Sequence, residues 1–173
     1  MMQKLFLLSF VVLLAFSCKS DKKEESNIKS KTTVYYFIRH AEKDRTTPSK
    51  DPELTKKGLE RAANWAKIFE DIDFDLIYST DYKRTYQTAL ATAKEKKLVI
   101  QSYDPNKLYD QIFKGKTKGK TVLVVGHSNT TPVFVNTILG EQKFEQIDDK
   151  DNGKLFIVTV VDKKASVVVE DHN

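Results

Sequence analysis

Two of the three histidines directly follow apolar runs that have the composition of buried strands. Arg39-His40 comes after the run VYYFI, and His127 ends the run TVLVVGH at 121–127. Parallel sheets collect their ligand-binding residues at the carboxyl ends of the strands. The sequence therefore predicts one shared site containing Arg39, His40 and His127. A neutral imidazole can act as a nucleophile and an arginine offers forked donors to phosphate oxygens, so these residue types fit phosphoryl transfer.

The elements that must position these residues alternate between strands and helices. Helical spacing of apolar residues predicts an amphipathic helix over Thr55–Glu70, with Thr55 as its N-cap. The other expected elements are a strand at 34–38, a strand at 76–78, a helix at 83–94, a strand at 98–101, a short helix at 106–113, a strand at 121–127, a helix at 131–139 and a strand pair at 155–161 and 165–169. This order predicts an α/β three-layer sandwich, in which helices flank a mostly parallel central sheet.

Four short motifs stand in the order that one protein family uses. They are Arg39-His40-Ala41-Glu42, Leu54-Thr55-x-x-Gly58, the segment STDYKRTYQT at 79–88, and Gly126-His127-Ser128-Asn129. Together they resemble the motifs of the histidine phosphatase superfamily, in its phosphoglycerate mutase-like branch. The small size of the chain is similar to that of the phosphohistidine-phosphatase-like members of this family.

This resemblance implies a metal-independent phosphomonoester hydrolase that works through a phosphohistidine intermediate on His40. Arg39, Arg84 and His127 would bind the phosphate oxygens together with His40, and neither a cofactor nor a metal is implied. The family often places a glutamate proton donor after the third strand, and Asp104 is the nearest carboxylate here, so Asp104 is the predicted acid. That role requires a raised pKa. Ala41 replaces the family's glycine, and this replacement requires only that the backbone at residue 41 avoid a positive φ.

Several alternatives stay open at the level of the sequence. Asp104 precedes Pro105 and could be a turn former instead of an acid. The protein could be a catalytically weak or inactive phosphate-binding lipoprotein. A phosphoglycerate mutase-type phosphotransferase is less favoured, because the segment between Asp104 and Thr121 is short for a cover that excludes water. A serine hydrolase is suggested by GHSNT at 126–130, but Thr130 replaces the final glycine of the nucleophile elbow and only His172 follows.

The first residues have the pattern of an export signal. Lys4 precedes an apolar run over residues 5–16 that is too short to span a bilayer, so residues 1–17 are predicted to be a signal peptide. The only cysteine, Cys18, ends this segment in a context that resembles a bacterial lipobox, and is the predicted lipidation site. The polar residues 19–31 would then be a flexible tether and residues 32–173 the phosphatase domain. We therefore expect a lipid-anchored protein of the bacterial cell envelope, in the periplasm or at the outer membrane; a soluble secreted protein is the alternative.

Composition limits the classes of partner. The formal net charge is +5 over 173 residues, but the lysine clusters are scattered along tails and helix faces. We therefore expect a small phosphorylated substrate and a membrane as partners, and no nucleic acid. A single cysteine excludes an internal disulfide framework and a cysteine-rich metal site.

Overall fold

The computed structural model describes residues 32–173, in which six strands form one mixed sheet. The strands are β1 (Thr33–Arg39), β2 (Leu76–Ser79), β3 (Ile100–Ser102), β4 (Thr121–Gly126), β5 (Lys154–Val161) and β6 (Lys164–Asp171). Their order across the sheet is β3-β2-β4-β1-β5-β6. The first four strands in this order are parallel, and β5 and β6 add an antiparallel pair at the β1 side. The predicted α/β class is confirmed.

Four helices in the described residues cover the two faces of the sheet. They are α1 (Lys56–Ile68), α2 (Lys83–Lys96), α3 (Gln111–Thr117) and α4 (Thr130–Leu139). Alternate residues of β1 enter two separate cores: Phe37 packs with Phe134 of α4, and Ile38 packs in the cluster that contains Trp65 of α1. The strand is therefore buried on both sides, as its continuous apolar run predicts.

The third helix begins later than the sequence predicted. Instead of a helix over 106–113, the chain forms a turn in which Asp104 Oδ1 accepts hydrogen bonds from the backbone and side-chain N–H groups of Asn106, at 2.9 and 3.1 Å. Tyr109 adopts a positive φ of 53°, which a helix does not tolerate. Asp110 then caps α3 by accepting from the backbone N–H three residues on. Segment 104–109 is consequently a loop beside the sheet edge.

The predicted signal peptide 1–17, the lipidation site Cys18 and the tether 19–31 lie outside the described residues. The assignment of 32–173 to a single phosphatase domain stays a prediction. Among residues 32–173, no helix is long and apolar enough to cross a membrane.

Candidate active site

The loop that follows β1 is held by the other predicted motifs. The backbone N–H of Ala41 donates to Thr88 Oγ1 at 2.9 Å, and Thr88 lies on α2. The backbone N–H of Thr55 donates to the carbonyl of Glu42 at 2.8 Å. Ala41 has no positive φ, as expected for alanine in place of the family's glycine. The motif residues Thr55 and Thr88 therefore position the loop instead of facing a substrate.

Gly58 explains why a glycine stands near the start of α1. A Cβ atom built on Gly58 would lie 2.3 Å from the backbone oxygen of Glu42, closer than real contacts allow. The first turn of α1 can therefore pack directly on the loop after β1. One residue further along this loop, Lys43 forms a single antiparallel bridge with Leu54. The loop is thus fixed from both sides.

His40 is buried and oriented by its own loop. Its Nδ1 lies 2.8 Å from the carbonyl oxygen of Ala41, which can only accept, so Nδ1 carries the proton and Nε2 keeps its lone pair. Burial is the main reason that the pKa of His40 is lowered to about 3; the neighbouring Arg39, His127 and Arg84 also lower it, and the hydrogen bond to Ala41 opposes them. The ring is therefore neutral near pH 7, with one nitrogen available as a nucleophile.

His127 faces His40 from the end of β4, with the ring centroids 5.6 Å apart. Its Nε2 lies 2.9 Å from Thr80 Oγ1, and its Nδ1 lies 3.5 Å from Nη2 of Arg84. Because an arginine can only donate, Nδ1 is the acceptor and Nε2 carries the proton. Burial lowers the pKa of His127 to about 4, and Arg84 is the largest charged contributor. Without an anion in the cavity, this ring too is neutral near pH 7.

Arg84 comes from the first turn of α2 and is largely buried, with 11% of its side chain exposed. Its guanidinium stacks 4.3 Å above the ring of Tyr82, and Nη1 lies 3.5 Å from a carboxylate oxygen of Asp51. Tyr82 also contacts the His127 ring edge-on. These contacts orient the planar fork of Arg84 towards the two histidines.

Arg39 is held by the loop between α4 and β5. Its guanidinium donates to the backbone carbonyls of Asp148 and Asp151, at 2.8 and 3.0 Å, and to the carboxylate of Asp149 at 2.6 Å. In the same loop, the side-chain amide of Asn152 donates to the carbonyl of His40 at 2.9 Å. Sequence reasoning missed this loop because it carries no family motif. The available signal was an acidic turn, DDKD at 148–151, ahead of a strand that could pair with β1.

The structure brings four of the five predicted site residues together. They line one cavity of about 420 Å³, and the other residues that line it are Lys43, Tyr82, Pro105, Asn106, Ser128, Asn129, Thr130 and Asp149. Asp104 is not among them. It is exposed and lines a neighbouring cavity of about 610 Å³, which shares Tyr82, Pro105 and Asn106 with the first. Its role as proton donor stays a prediction.

The cavity is built to receive an anion. Arg39, Arg84 and Lys43 surround two neutral imidazoles, and the carboxylate of Asp149 is shared between Arg39 and Arg45 at 2.6 and 2.7 Å. Guanidinium forks and imidazole nitrogens are suited to a tetrahedral oxyanion. In the described part of the chain, no group of three or more His, Cys, Asp or Glu side chains could hold a metal ion.

The structure also bears on the serine hydrolase alternative. His172 is partly buried: its ring packs 5.3 Å from that of Trp65, and Arg61 donates to its carbonyl. Ser128 lines the cavity, but within residues 32–173 it has no hydrogen bond to a histidine. The arrangement therefore gives no support to a serine nucleophile with His172 as its base.

Part of the chain matches a known protein family. Residues 35–105 match the model of the histidine phosphatase superfamily, branch 1. The matched segment contains Arg39, His40 and Arg84, and it supports a place for the chain in the histidine phosphatase superfamily. It is also 29% identical, over 113 residues, to the 2,3-bisphosphoglycerate-dependent phosphoglycerate mutase 1 of Arabidopsis thaliana. That match covers 59% of this chain and only 34% of the length of the mutase.

Solved structures share the fold at low sequence identity. The α-ribazole phosphatase of Shigella flexneri superposes with a TM-score of 0.65 at 14% identity, over 80% of this chain and 96% of that one. The protein histidine phosphatase SixA complexed with tungstate gives a TM-score of 0.62 at 14% identity, over 80% and 96%. A mycobacterial glucosyl-3-phosphoglycerate phosphatase with inorganic phosphate gives 0.62 at 12% identity, over 82% and 98%. These likenesses show that the chain shares its fold with these phosphatases.

Proposed function

We propose that the protein is a phosphomonoester hydrolase that forms a covalent phosphohistidine on His40. The observation that carries this proposal is the state of His40: its Nδ1 proton is bound to Ala41, so the lone pair of Nε2 is free in a cavity shared with Arg39, Arg84 and His127. A neutral nucleophile beside two guanidinium groups is what in-line attack on a phosphate dianion requires.

The proposed reaction has two steps. In the first, Nε2 of His40 attacks phosphorus, the bond to the ester oxygen breaks, and the alcohol departs after taking up a proton. In the second, water attacks the phosphohistidine, the P–N bond breaks, and inorganic phosphate leaves. Arg39 and Arg84 offset the charge on the transferred oxygens in both steps.

His127 gains its role when the anion arrives. A bound dianion raises the pKa of a neighbouring imidazole, because the opposite charge favours the protonated form. Nδ1 of His127 would then donate to a phosphate oxygen, while Nε2 stays bound to Thr80. Substrate binding near pH 7 is therefore accompanied by proton uptake at this residue.

A phosphate ester and a phosphoramidate differ in how much their leaving groups need to be protonated. An alkoxide needs a general acid, and Asp104 stays the proposed donor. The position of Asp104 outside the His40 cavity favours a second candidate, hydrolysis of a phosphoramidate such as a phosphohistidine. Its imidazole leaving group is far less basic than an alkoxide and depends less on an acid. The likeness to the protein histidine phosphatase SixA supports this candidate.

An Asp104→Asn variant distinguishes the two. If Asp104 is the acid, hydrolysis of an alkyl phosphate falls roughly 100-fold or more. Hydrolysis of phosphoimidazole, used as the phosphoramidate, changes little in the same variant. Equal rates of alkyl phosphate hydrolysis in both proteins would remove Asp104 from the mechanism.

The function itself is tested with p-nitrophenyl phosphate in the presence of EDTA. We expect the wild type to release p-nitrophenol without added metal and His40→Ala to lose that activity. His172→Ala is the matched control, because His172 lies against Trp65 and outside the cavity. A folded wild type that binds vanadate without turnover would instead support the phosphate-binding alternative. Accumulation of transfer products with an added alcohol acceptor would support a phosphotransferase.

The proposed location is the bacterial cell envelope, with a lipid on Cys18. The support for it is the sequence of residues 1–18, in which a short apolar run ends at the only cysteine. The substrate would then be an extracytoplasmic phosphate ester.

A further inference from the structure

The last strand of the sheet, β6, has an outer edge that no other strand of the described residues covers. It stands at one end of the order β3-β2-β4-β1-β5-β6 and is eight residues long, whereas β3 at the opposite end has three. All eight residues pair with β5 in one unbroken register, so this strand pair contains no bulge. Proteins protect exposed edges by shortness, bulges, charges or a covering segment. β6 has neither of the first two protections.

The charges of β6 lie at its two ends and leave its centre uncharged. Residues 165–169 read ASVVV, and Val168 and Val169 are 60% and 41% exposed. Two lysines at 163–164 precede this run, and an acidic pair at 170–171 follows it. The strand is therefore basic at its start and acidic at its end. An edge of this kind is complementary in charge to its own antiparallel copy.

The hairpin before β6 determines which of its backbone groups face β5. The turn residues Asp162 and Lys163 have φ angles of 47° and 69°, as a type I′ turn requires. The N–H of Lys164 therefore donates to the carbonyl of Val161 across this turn. Alternation along an antiparallel pair then directs the N–H and C=O groups of residues 164, 166, 168 and 170 towards β5.

The other residues of β6 direct their backbone groups away from β5. The N–H of His172 donates to the carbonyl of Gly153 at 2.9 Å and continues the inward direction of the even-numbered residues beyond the strand. The N–H and C=O groups of residues 165, 167, 169 and 171 consequently point outwards, where nothing within residues 32–173 bonds to them. This row of donors and acceptors can pair with another strand.

The outward groups restrict how a second copy of the chain can pair with β6. Antiparallel strands form hydrogen bonds where outward-facing residues of both strands stand opposite each other. A register with Val167 opposite Val167 of the second copy meets this condition and places Ala165 opposite Val169. The same register places Lys164 opposite Glu170, twice because the arrangement is two-fold symmetric. Opposite charges at facing positions stabilise paired strands.

The next allowed register loses these charge pairs. With Val168 opposite Val168, Lys164 would face His172 and Glu170 would face Ser166. Both charged side chains are accessible for the register centred on Val167: Lys164 is exposed, and Glu170 is 44% exposed and contacts the ring of His172 at 2.9 Å. The charges therefore favour the register centred on Val167.

We propose that β6 is an interaction surface for a second copy of this chain, which joins it antiparallel about a two-fold axis at Val167. The two sheets then become one continuous sheet, and the symmetric contact closes because each copy uses its β6 edge once. The surface is separate from the candidate active site, since residues 164–171 line neither cavity that contains His40. The proposal is therefore independent of the proposed function.

The test reverses the charges of the proposed pairs in the full chain, purified in a non-ionic detergent. Sedimentation velocity should show a wild-type dimer. Lys164→Glu would set two like-charged pairs across the dimer, and Glu170→Lys would do the same with the opposite sign. Each single reversal should raise the Kd of the dimer about tenfold or more.

Mixing the two variants tests the register itself. In a dimer of one Lys164→Glu chain and one Glu170→Lys chain, the two reversed residues face each other in one pair and the two native residues face each other in the other pair. The mixture should therefore associate with an affinity close to that of the wild type. A chain that carries both reversals should also recover the dimer.

A control variant separates the edge from the general charge of the protein. Lys94 is exposed on α2, which packs on β2, β3 and β4 at the opposite end of the sheet, so Lys94→Glu should leave the wild-type Kd unchanged. Circular dichroism checks that each variant is folded. A monomeric wild type would overturn the proposal. So would association that survives both single reversals, as contacts through residues 1–31 would give, or a loss that neither the mixture nor the double reversal restores.

Discussion

At the scale of single residues, the site depends on two imidazoles that are kept neutral. His40 is 3% exposed, and the positive charges of Arg39 and Arg84 act on its ring, so a proton there is strongly disfavoured. The unfolded chain has no such restriction, and its histidines titrate near the ordinary value of 6.5. The same burial that suits His40 to its proposed role as nucleophile therefore makes the fold sensitive to acid.

We predict that His40→Gln reduces the loss of stability on mild acidification. With a folded pKa of about 3, His40 contributes full stability above pH 6.5, and this contribution falls as the pH drops towards 3, because only the unfolded state takes up the proton. Between pH 6.5 and pH 5 the loss from this residue is about 2 kcal/mol. Urea unfolding at both pH values measures it. An identical acid loss in the wild type and the variant would contradict the proposed neutral state.

At the scale of elements, two loops and the start of a helix assemble the site at the carboxyl ends of β1 and β4. The loop after β1 carries His40 and Lys43, the start of α2 carries Arg84, and the loop before β5 holds Arg39. The contact between Gly58 and Glu42 fixes the first of these loops. Helix packing therefore controls the geometry of the candidate site.

We predict opposite effects of alanine at two helical glycines. Gly58→Ala forces a methyl group against the Glu42 carbonyl and should lower the free energy of unfolding by about 2 kcal/mol, with reduced turnover. Gly115→Ala is the control, because nothing lies within 4 Å of its added Cβ and alanine favours the helix. It should stabilise the protein by about 0.5 to 1 kcal/mol. Stabilisation by both substitutions in urea unfolding would show that α1 does not approach Glu42 this closely.

The sequence predicted the elements whose signals are local. The apolar runs of β1 and β4 and the Thr55 cap of α1 were found because burial and capping leave direct patterns. The start of α3 was wrong because two short-range effects, the Asp104 turn and the positive φ of Tyr109, outweighed helical spacing. No local sequence signal indicates that Arg39 donates to the backbone carbonyls of Asp148 and Asp151. None indicates that Lys43 has no ion pair within residues 32–173. Both depend on contacts between residues about one hundred positions apart or on the charges around one side chain.

At the scale of the whole molecule, the described domain is connected to residues 1–31, whose pattern predicts export and lipid attachment. The proposed anchor requires Cys18, and a single lipid-modified residue would decide where the phosphatase works. The domain itself contributes no spanning helix among its described residues. A measurement of membrane association therefore tests the prediction made for residues 1–18 and not the described domain.

We predict that Cys18→Ser moves the protein out of the membrane fraction. The full chain expressed in a bacterium should incorporate labelled palmitate and sediment with membranes, and the variant should do neither. Ser17→Ala is the matched control, because it keeps a small residue before the cysteine. Wild-type protein that is secreted without a label would support the soluble alternative.

The most direct measurement for the central claim is to trap the phosphorylated protein. Wild type mixed with p-nitrophenyl phosphate and denatured rapidly in alkali, which preserves phosphohistidine, should carry one phosphoryl group. Peptide mapping should place that group on His40, and His172→Ala should carry it as well. A phosphoryl group on another residue, or turnover by His40→Ala at the wild-type rate, would contradict the account.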